Sequence, residues 1–129
     1  MIWYIALGGA VGSVARFAFG ALIQRWSGAA FPVGTLLINV TGSFLFGFLM
    51  QYALATSTVT PELRALLTTG FCGGYTTFST FSYESIALLD SGEYGRAGLY
   101  VVLSVVLSLV GAVAGLASAR HLLSIGERA

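Results

Sequence analysis

The chain has 129 residues, of which 57% are hydrophobic and 9% charged, and its mean hydropathy is +0.88. Average soluble domains carry about 25% charged residues, so this composition excludes a water-soluble globule and describes a single all-α integral membrane domain over residues 1–129. A net charge of +1 without a basic run excludes nucleic acid as a partner, and the lone Cys72 excludes an internal disulfide and a multi-cysteine metal site.

Four apolar segments are expected to span the bilayer, at about 3–25, 31–54, 62–89 and 96–121. The first carries one charge, Arg16, between about Ile5 and Ile23. It lacks a basic n-region and a cleavage site, so it is expected to stay as a span and not to leave as a signal peptide. Gly8, Gly12, Arg16 and Gly20 recur along it every four residues, and small residues let helices approach closely. Packing within one subunit is the expected use of most of them. The second segment is charge-free and follows Ser27-Gly28-Ala29-Ala30, with Pro32 near its first turn. The third opens on Thr60-Pro61-Glu62, which reads as N-cap, first helical residue and a carboxylate at the positive dipole end. The fourth is charge-free from Ala97 to Ala119, ends in Arg120-His121 and holds a Gly-x-x-x-Gly pair, Gly111 and Gly115.

Four spans put both termini on one side. Arg64, Arg120 and Arg128 then share that side, against Arg25 and Arg96 on the other. Lys/Arg excess in short loops sets orientation, and this excess is small. Either the protein inserts both ways and pairs antiparallel, or it has one orientation with a weak signal.

The third segment is unlike an anchor. No residue from Ala65 to Tyr83 is charged, enough for the ~20 residues of a span. Yet its centre reads Gly73-Gly74-Tyr75-Thr76-Thr77-Phe78-Ser79-Thr80-Phe81-Ser82. Broken backbone at membrane depth is tolerated only where protein buries it or where it lines a cavity. A break near 73–77 is therefore expected, with a pathway for something polar. If Gly73 to Thr76 is unwound, its carbonyls can hold a monovalent cation such as Na⁺. Equally, they can accept from Ser or Thr hydroxyls.

Tyr100, Ser104 and Ser108 form a polar stripe on the fourth span, continued by Gly111, Gly115 and Ser118; Thr35, Asn39 and Ser43 form another on the second. Hydroxyls can bond back to their own helix. The Asn39 amide needs a partner across helices or in a pore. Phe78 and Phe81 share a face; their ring edges suit an anion and their ring faces a cation. Arg16 is a candidate functional charge, or it snorkels. These donors together fit a small, strongly hydrated anion best. Glu84 beside such a route repels an anion unless it is protonated, paired or hydrogen-bonded elsewhere. One His121 and one cysteine supply no nucleophile–base pair or metal site, so no enzyme is expected.

The run Thr69-Gly70-Phe71-Cys72-Gly73-Gly74-Tyr75-Thr76-Thr77-Phe78-Ser79-Thr80-Phe81-Ser82 closely resembles the signature of the Fluc (CrcB) fluoride channels. Gly12-Ser13-Val14-Ala15-Arg16, Gly34-Thr35-Leu36 with Asn39, and the Tyr100/Ser104/Ser108 stripe extend the resemblance along the chain. The resemblance implies an antiparallel, dual-topology homodimer in the plasma membrane (the inner membrane in a Gram-negative cell). It also implies passive fluoride efflux that protects against fluoride toxicity, and a structural Na⁺ at the dimer interface. Phe78, Phe81, Asn39, Tyr100, Ser104 and Ser108 correspond to the pore, with Thr35 and Thr77 as weaker candidates. Arg16 and Glu84 correspond to vestibule or gating positions, and Gly73 and Thr76 to the carbonyls that hold Na⁺. Tyr75 stands where the family more often has an aliphatic residue. The alternative class is a small proton-coupled multidrug exporter of dual topology. Those proteins carry a carboxylate in the first span, where this chain has Arg16.

Overall fold

Helix α1 spans Ile2–Ser27 and ends at Gly28, whose φ of 59° is the left-handed C-cap that glycine adopts without strain. Helix α2, Val33–Ala55, starts directly after Pro32. Helix α3, Pro61–Ala65, has the expected start: Thr60 Oγ1 accepts from the Leu63 amide at 3.2 Å, and Pro61 opens the first turn. A π-helical segment, Leu66–Cys72, continues it into α4, Gly73–Tyr75. Helix α5 covers Phe78–Asp90, and α6 runs for 35 residues, Tyr94–Arg128. The structure, a computed structural model, describes all 129 residues and contains no strand.

Three helices, α1, α2 and α6, are long and apolar enough to cross a membrane. At ~1.5 Å per residue α6 is about 52 Å long, so it continues well past the limit near residue 121 set by hydropathy. No single such helix covers 61–90, because the chain is extended at Thr76 (φ −80°, ψ 158°) and Thr77 (φ −150°, ψ 110°). The interruption lies downstream of the glycines. Gly73 and Gly74 are helical, which corrects the reading of Gly73 to Thr76 as the unwound part.

Gly74, with Gly8 and Gly12 of α1, serves close packing instead, whereas a Cβ on Gly73 would meet nothing nearer than 3.9 Å. A Cβ on Gly12 would collide with the Phe71 carbonyl, one on Gly8 with that of Leu66, and one on Gly74 with that of Gly9. Thus α1 lies tight against the π-helical segment and α4. Gly47, Gly111 and Gly115 do the same between α2 and α6, the most extensive helix pair. The Gly-x-x-x-Gly pair on α6 is used within the subunit. Only 18 of 129 residues are buried, and Trp3, Phe17, Trp26, Leu109 and Val113 project outward. Water does not tolerate such a continuous apolar exterior, whereas a hydrocarbon layer does.

Candidate functional site

The site is organised by the two extended residues. Asn39, from the middle of α2, pairs with the backbone of Thr77 in both directions. Its Nδ2 donates to the Thr77 carbonyl at 3.1 Å, and its Oδ1 accepts from the Thr77 amide at 2.8 Å. The amide therefore takes the cross-helix alternative and keeps one N–H for other use. That N–H of Thr77 would otherwise close an α-turn on the Gly73 carbonyl, so the carbonyl is released from the helical ladder. Thr77 then caps α5, its Oγ1 accepting from the Thr80 amide at 3.2 Å. The positive end of the α5 dipole thus begins at the interruption.

Around this junction lies an inner cavity of about 300 Å³, lined by Asn39, Ser43, Thr76, Thr77, Phe78, Phe81, Ser104 and Ser108 with Val105 and Leu109. Ser82, Ser85 and Ser118 bond back to carbonyls of their own helices. Ser104 does not: its Oγ is buried without any partner. A buried hydroxyl left unpaired needs an explanation, and a polar guest in the cavity is one. The Phe78 and Phe81 rings sit 5.6 Å apart, tilted by 52°, and Phe78 is 79% exposed on this single chain.

An outer cavity of about 500 Å³ adjoins it, with Ser13, Arg16, Gln24, Thr35, Thr77, Thr80 and Glu84 among its lining residues. Thr77 borders both cavities. Arg16 has no carboxylate partner; the one ion pair in the chain is Arg96–Glu93, at 3.0 Å on the surface. Both Glu84 oxygens are occupied. Thr35 Oγ1 donates to Oε1 at 2.7 Å and the Tyr100 hydroxyl to Oε2 at 2.9 Å. The carboxylate is therefore hydrogen-bonded elsewhere, one of the conditions under which it tolerates an anion nearby.

These contacts divide the two polar stripes. Tyr100 is fully buried, its ring between Phe31 (5.5 Å) and Phe81 (5.3 Å), and its hydroxyl turns to Glu84 and away from the inner cavity. Thr35 also belongs to the outer cavity, whereas Asn39, Ser43, Ser104 and Ser108 line the inner one. Gly73 and Thr76 border a third cavity, with Gly42, Ser43, Thr68, Thr69 and Cys72. The donor set there is carbonyl and hydroxyl oxygen without carboxylate, and the freed Gly73 carbonyl suits a monovalent hard cation. Tyr75, the unusual residue, shares a 2.9 Å hydrogen bond between its hydroxyl and Thr41 Oγ1 and stacks on Phe71 at 5.7 Å. An aliphatic residue makes neither contact. Gln24 and Thr80 escaped notice in the sequence, where a polar residue near a span end and one of five hydroxyls carry little signal.

Fold and site together define a small multi-pass membrane protein with two polar-lined cavities meeting at an interrupted helix. The profile of the family described as CrcB-like protein, Camphor Resistance (CrcB), matches residues 3–116. The chain belongs to that family. It is 52% identical over 118 residues to the fluoride-specific ion channel FluC of Geobacter sulfurreducens, covering 92% of this chain and 95% of that protein. It is 48% identical over 119 residues to FluC of Rhizobium meliloti, with the same coverage, and 47% identical over 118 residues to FluC of Geobacter metallireducens.

Proposed function

We propose that this protein is a fluoride-selective channel through which fluoride leaves the cell down its electrochemical gradient. The observation that carries the reading is the unpaired, buried Ser104 hydroxyl in a cavity that also presents Asn39, Ser108 and the Phe78/Phe81 pair. The relatives at about half identity, which are fluoride-specific ion channels, supply the ion. Fluoride surrenders its hydration shell only where several strong donors replace it together. Hydroxyl and amide donors, ring edges and the N-terminus of α5 can do so without a fixed charge. An ion bound by neutral dipoles is held firmly enough to enter and weakly enough to leave.

In this reading an ion first meets Arg16 in the outer cavity, then passes the Thr77 and Thr80 hydroxyls. Asn39 and Ser104 receive it next to the Phe78 and Phe81 edges, and Ser108 hands it on. Glu84, held by Thr35 and Tyr100, stays outside the inner cavity. The helices of 61–90 together form a fourth span whose interruption lies at membrane depth, and two copies pair antiparallel. Exposed Phe78 supports the pairing, since a pore-lining ring needs a second wall. The carbonyls of Gly73 and Thr76 would hold one Na⁺, which joins the copies by charge and takes no part in selecting the anion.

The test is fluoride efflux from liposomes containing purified protein, with chloride as control. Fluoride flux without chloride flux is the expected result; equal fluxes, or none, would end the proposal.

A further inference from the structure

Gln24 sits on the last turns of α1, and its carboxamide makes three hydrogen bonds, none inside its own helix. Nε2 donates to the carbonyls of Ala29 at 2.8 Å and Phe31 at 3.0 Å, while Oε1 accepts from the Gly34 amide at 2.9 Å. Helix α2 starts after Pro32 and has no side-chain cap of its own. Gln24 therefore satisfies one of its orphan amides from the neighbouring helix. The same amide pins the loop that joins the two helices.

What Gln24 holds lies next to both partners of Glu84. Gly34 immediately precedes Thr35, which donates to Glu84 Oε1. The Phe31 ring stands edge-on to the Tyr100 ring at 84°, and the Tyr100 hydroxyl donates to Glu84 Oε2. Two separate chains of contact thus run from one carboxamide to the two oxygens of one carboxylate. Gln24, Arg16, Thr35 and Glu84 line the same outer cavity, and Gln24 is absent from the inner one.

We infer that Gln24 is a positioning residue for ion passage. Through Gly34 and Phe31 it keeps Thr35 and Tyr100 on Glu84, so that the carboxylate at the mouth of the route stays turned away from the ion. This inference rests on the fluoride-channel reading. A residue that served folding alone would lower flux only by lowering the amount of folded protein, and its loss would be independent of Tyr100. A positioning residue lowers flux per folded protein, and a large part of its effect runs through Tyr100.

Gln24→Leu removes all three bonds; Gln24→Glu keeps an acceptor for the Gly34 amide and loses both donors. Fluoride efflux is measured per folded, reconstituted protein for both variants, for Tyr100→Phe and for the combinations with Tyr100→Phe. We expect Gln24→Leu to lower efflux about tenfold, equivalent to ~1.4 kcal/mol at the barrier. In the Tyr100→Phe background, where that donor to Glu84 is already gone, the same change is expected to cost less than about threefold, because contacting residues do not add. Should Gln24→Leu fail to fold, Gln24→Glu carries the same comparison. Unchanged efflux in the folded variant, or an undiminished tenfold loss on top of Tyr100→Phe, overturns the role given to Gln24. A conducting wild type with unaffected Gln24 variants removes this inference alone, whereas a wild type that passes no fluoride removes the channel reading and this inference with it.

Discussion

Replacing Asn39 with alanine tests the element on which the whole site depends. The substitution deletes both hydrogen bonds to Thr77, at 2.8 and 3.1 Å. It leaves the amide of a buried residue, 7% exposed, with no acceptor. An orphaned buried donor costs about 1–3 kcal/mol, and the second bond about 0.5–1.5 kcal/mol. The expected loss of stability is therefore about 1.5–4.5 kcal/mol. Part of it is recovered if the Thr77 amide returns to the Gly73 carbonyl, but that continues the helix through 76–77 and turns α5 relative to the inner cavity. Either outcome damages the route, so fluoride efflux is expected to fall at least tenfold, ~1.4 kcal/mol. Ser43→Ala is the control for stability. Ser43 lines the same cavity from the same helix, and its truncation is expected to change unfolding by no more than about 0.5 kcal/mol. The assay is thermal or denaturant unfolding in one detergent, alongside liposome efflux. If Asn39→Ala unfolds with Ser43→Ala and conducts like the wild type, the pairing with Thr77 does not organise the site.

Ser104→Ala removes a buried hydroxyl that bonds to nothing, so it should leave stability unchanged or raise it while efflux falls; destabilisation in an unfolding experiment would contradict the reading of that hydroxyl as reserved for a guest. Phe81→Ile breaks ring contacts with both Phe78 and Tyr100 and should cost both stability and efflux, whereas Phe78→Ile, at a position 79% exposed in the single chain, should cost efflux with the oligomer intact. Equal efflux in either variant would take that ring out of the pathway. At Gly42 a Cβ would run into Thr76 Cγ2 and lie 2.9 Å from Tyr75 Cδ1, so Gly42→Ala should displace the carbonyls assigned to Na⁺. The melting temperature of the wild type is expected to be higher in NaCl than in a large organic chloride, and that difference should shrink in Gly42→Ala; no difference in the wild type would remove the cation from the scheme.

What could be read from the chain depended on local chemistry. The apolar runs give the long helices α1, α2 and α6, and Thr60-Pro61-Glu62 starts a helix because cap, proline and dipole all act within one turn. The glycine pair at 73–74 misled, because glycine serves both unwinding and close approach. Only the position of the Gly9 carbonyl, contributed by α1, shows that Gly74 is there for contact. The π-helical turn had no signature in the sequence. Asn39 was legible as a group in need of a partner, but its choice of Thr77, 38 residues away, is set by how α2 crosses the interruption. Tyr100 looked like one member of a stripe, and its hydroxyl was diverted by Glu84 on α5. Periodicity identifies a shared face and says nothing of which neighbour faces it.

In the proposed reading, the placement of charge distinguishes a conducting route from a binding site. Among the inner-cavity residues none is ionisable, while Arg16 and Glu84 lie together in the outer cavity beyond Thr77. An arginine inside the inner cavity would hold a small anion too tightly for rapid release, and a free carboxylate there would repel it. A carboxylate at the mouth is tolerable because each oxygen already accepts a hydrogen bond, which takes up one lone pair on each and partly offsets the charge. The proposal leaves the attraction at the inner cavity to neutral dipoles: the remaining Asn39 N–H, the Ser104 hydroxyl and the N-terminal end of α5. Such dipoles strengthen as water is excluded, yet their field falls off faster than that of a full charge. An ion then gains enough to shed water over a few ångströms and is not trapped further along. In this arrangement the interruption at Thr76–Thr77 has a second consequence. It starts a helix at Phe78, capped by Thr77, and so brings a positive dipole end to the junction of the two cavities.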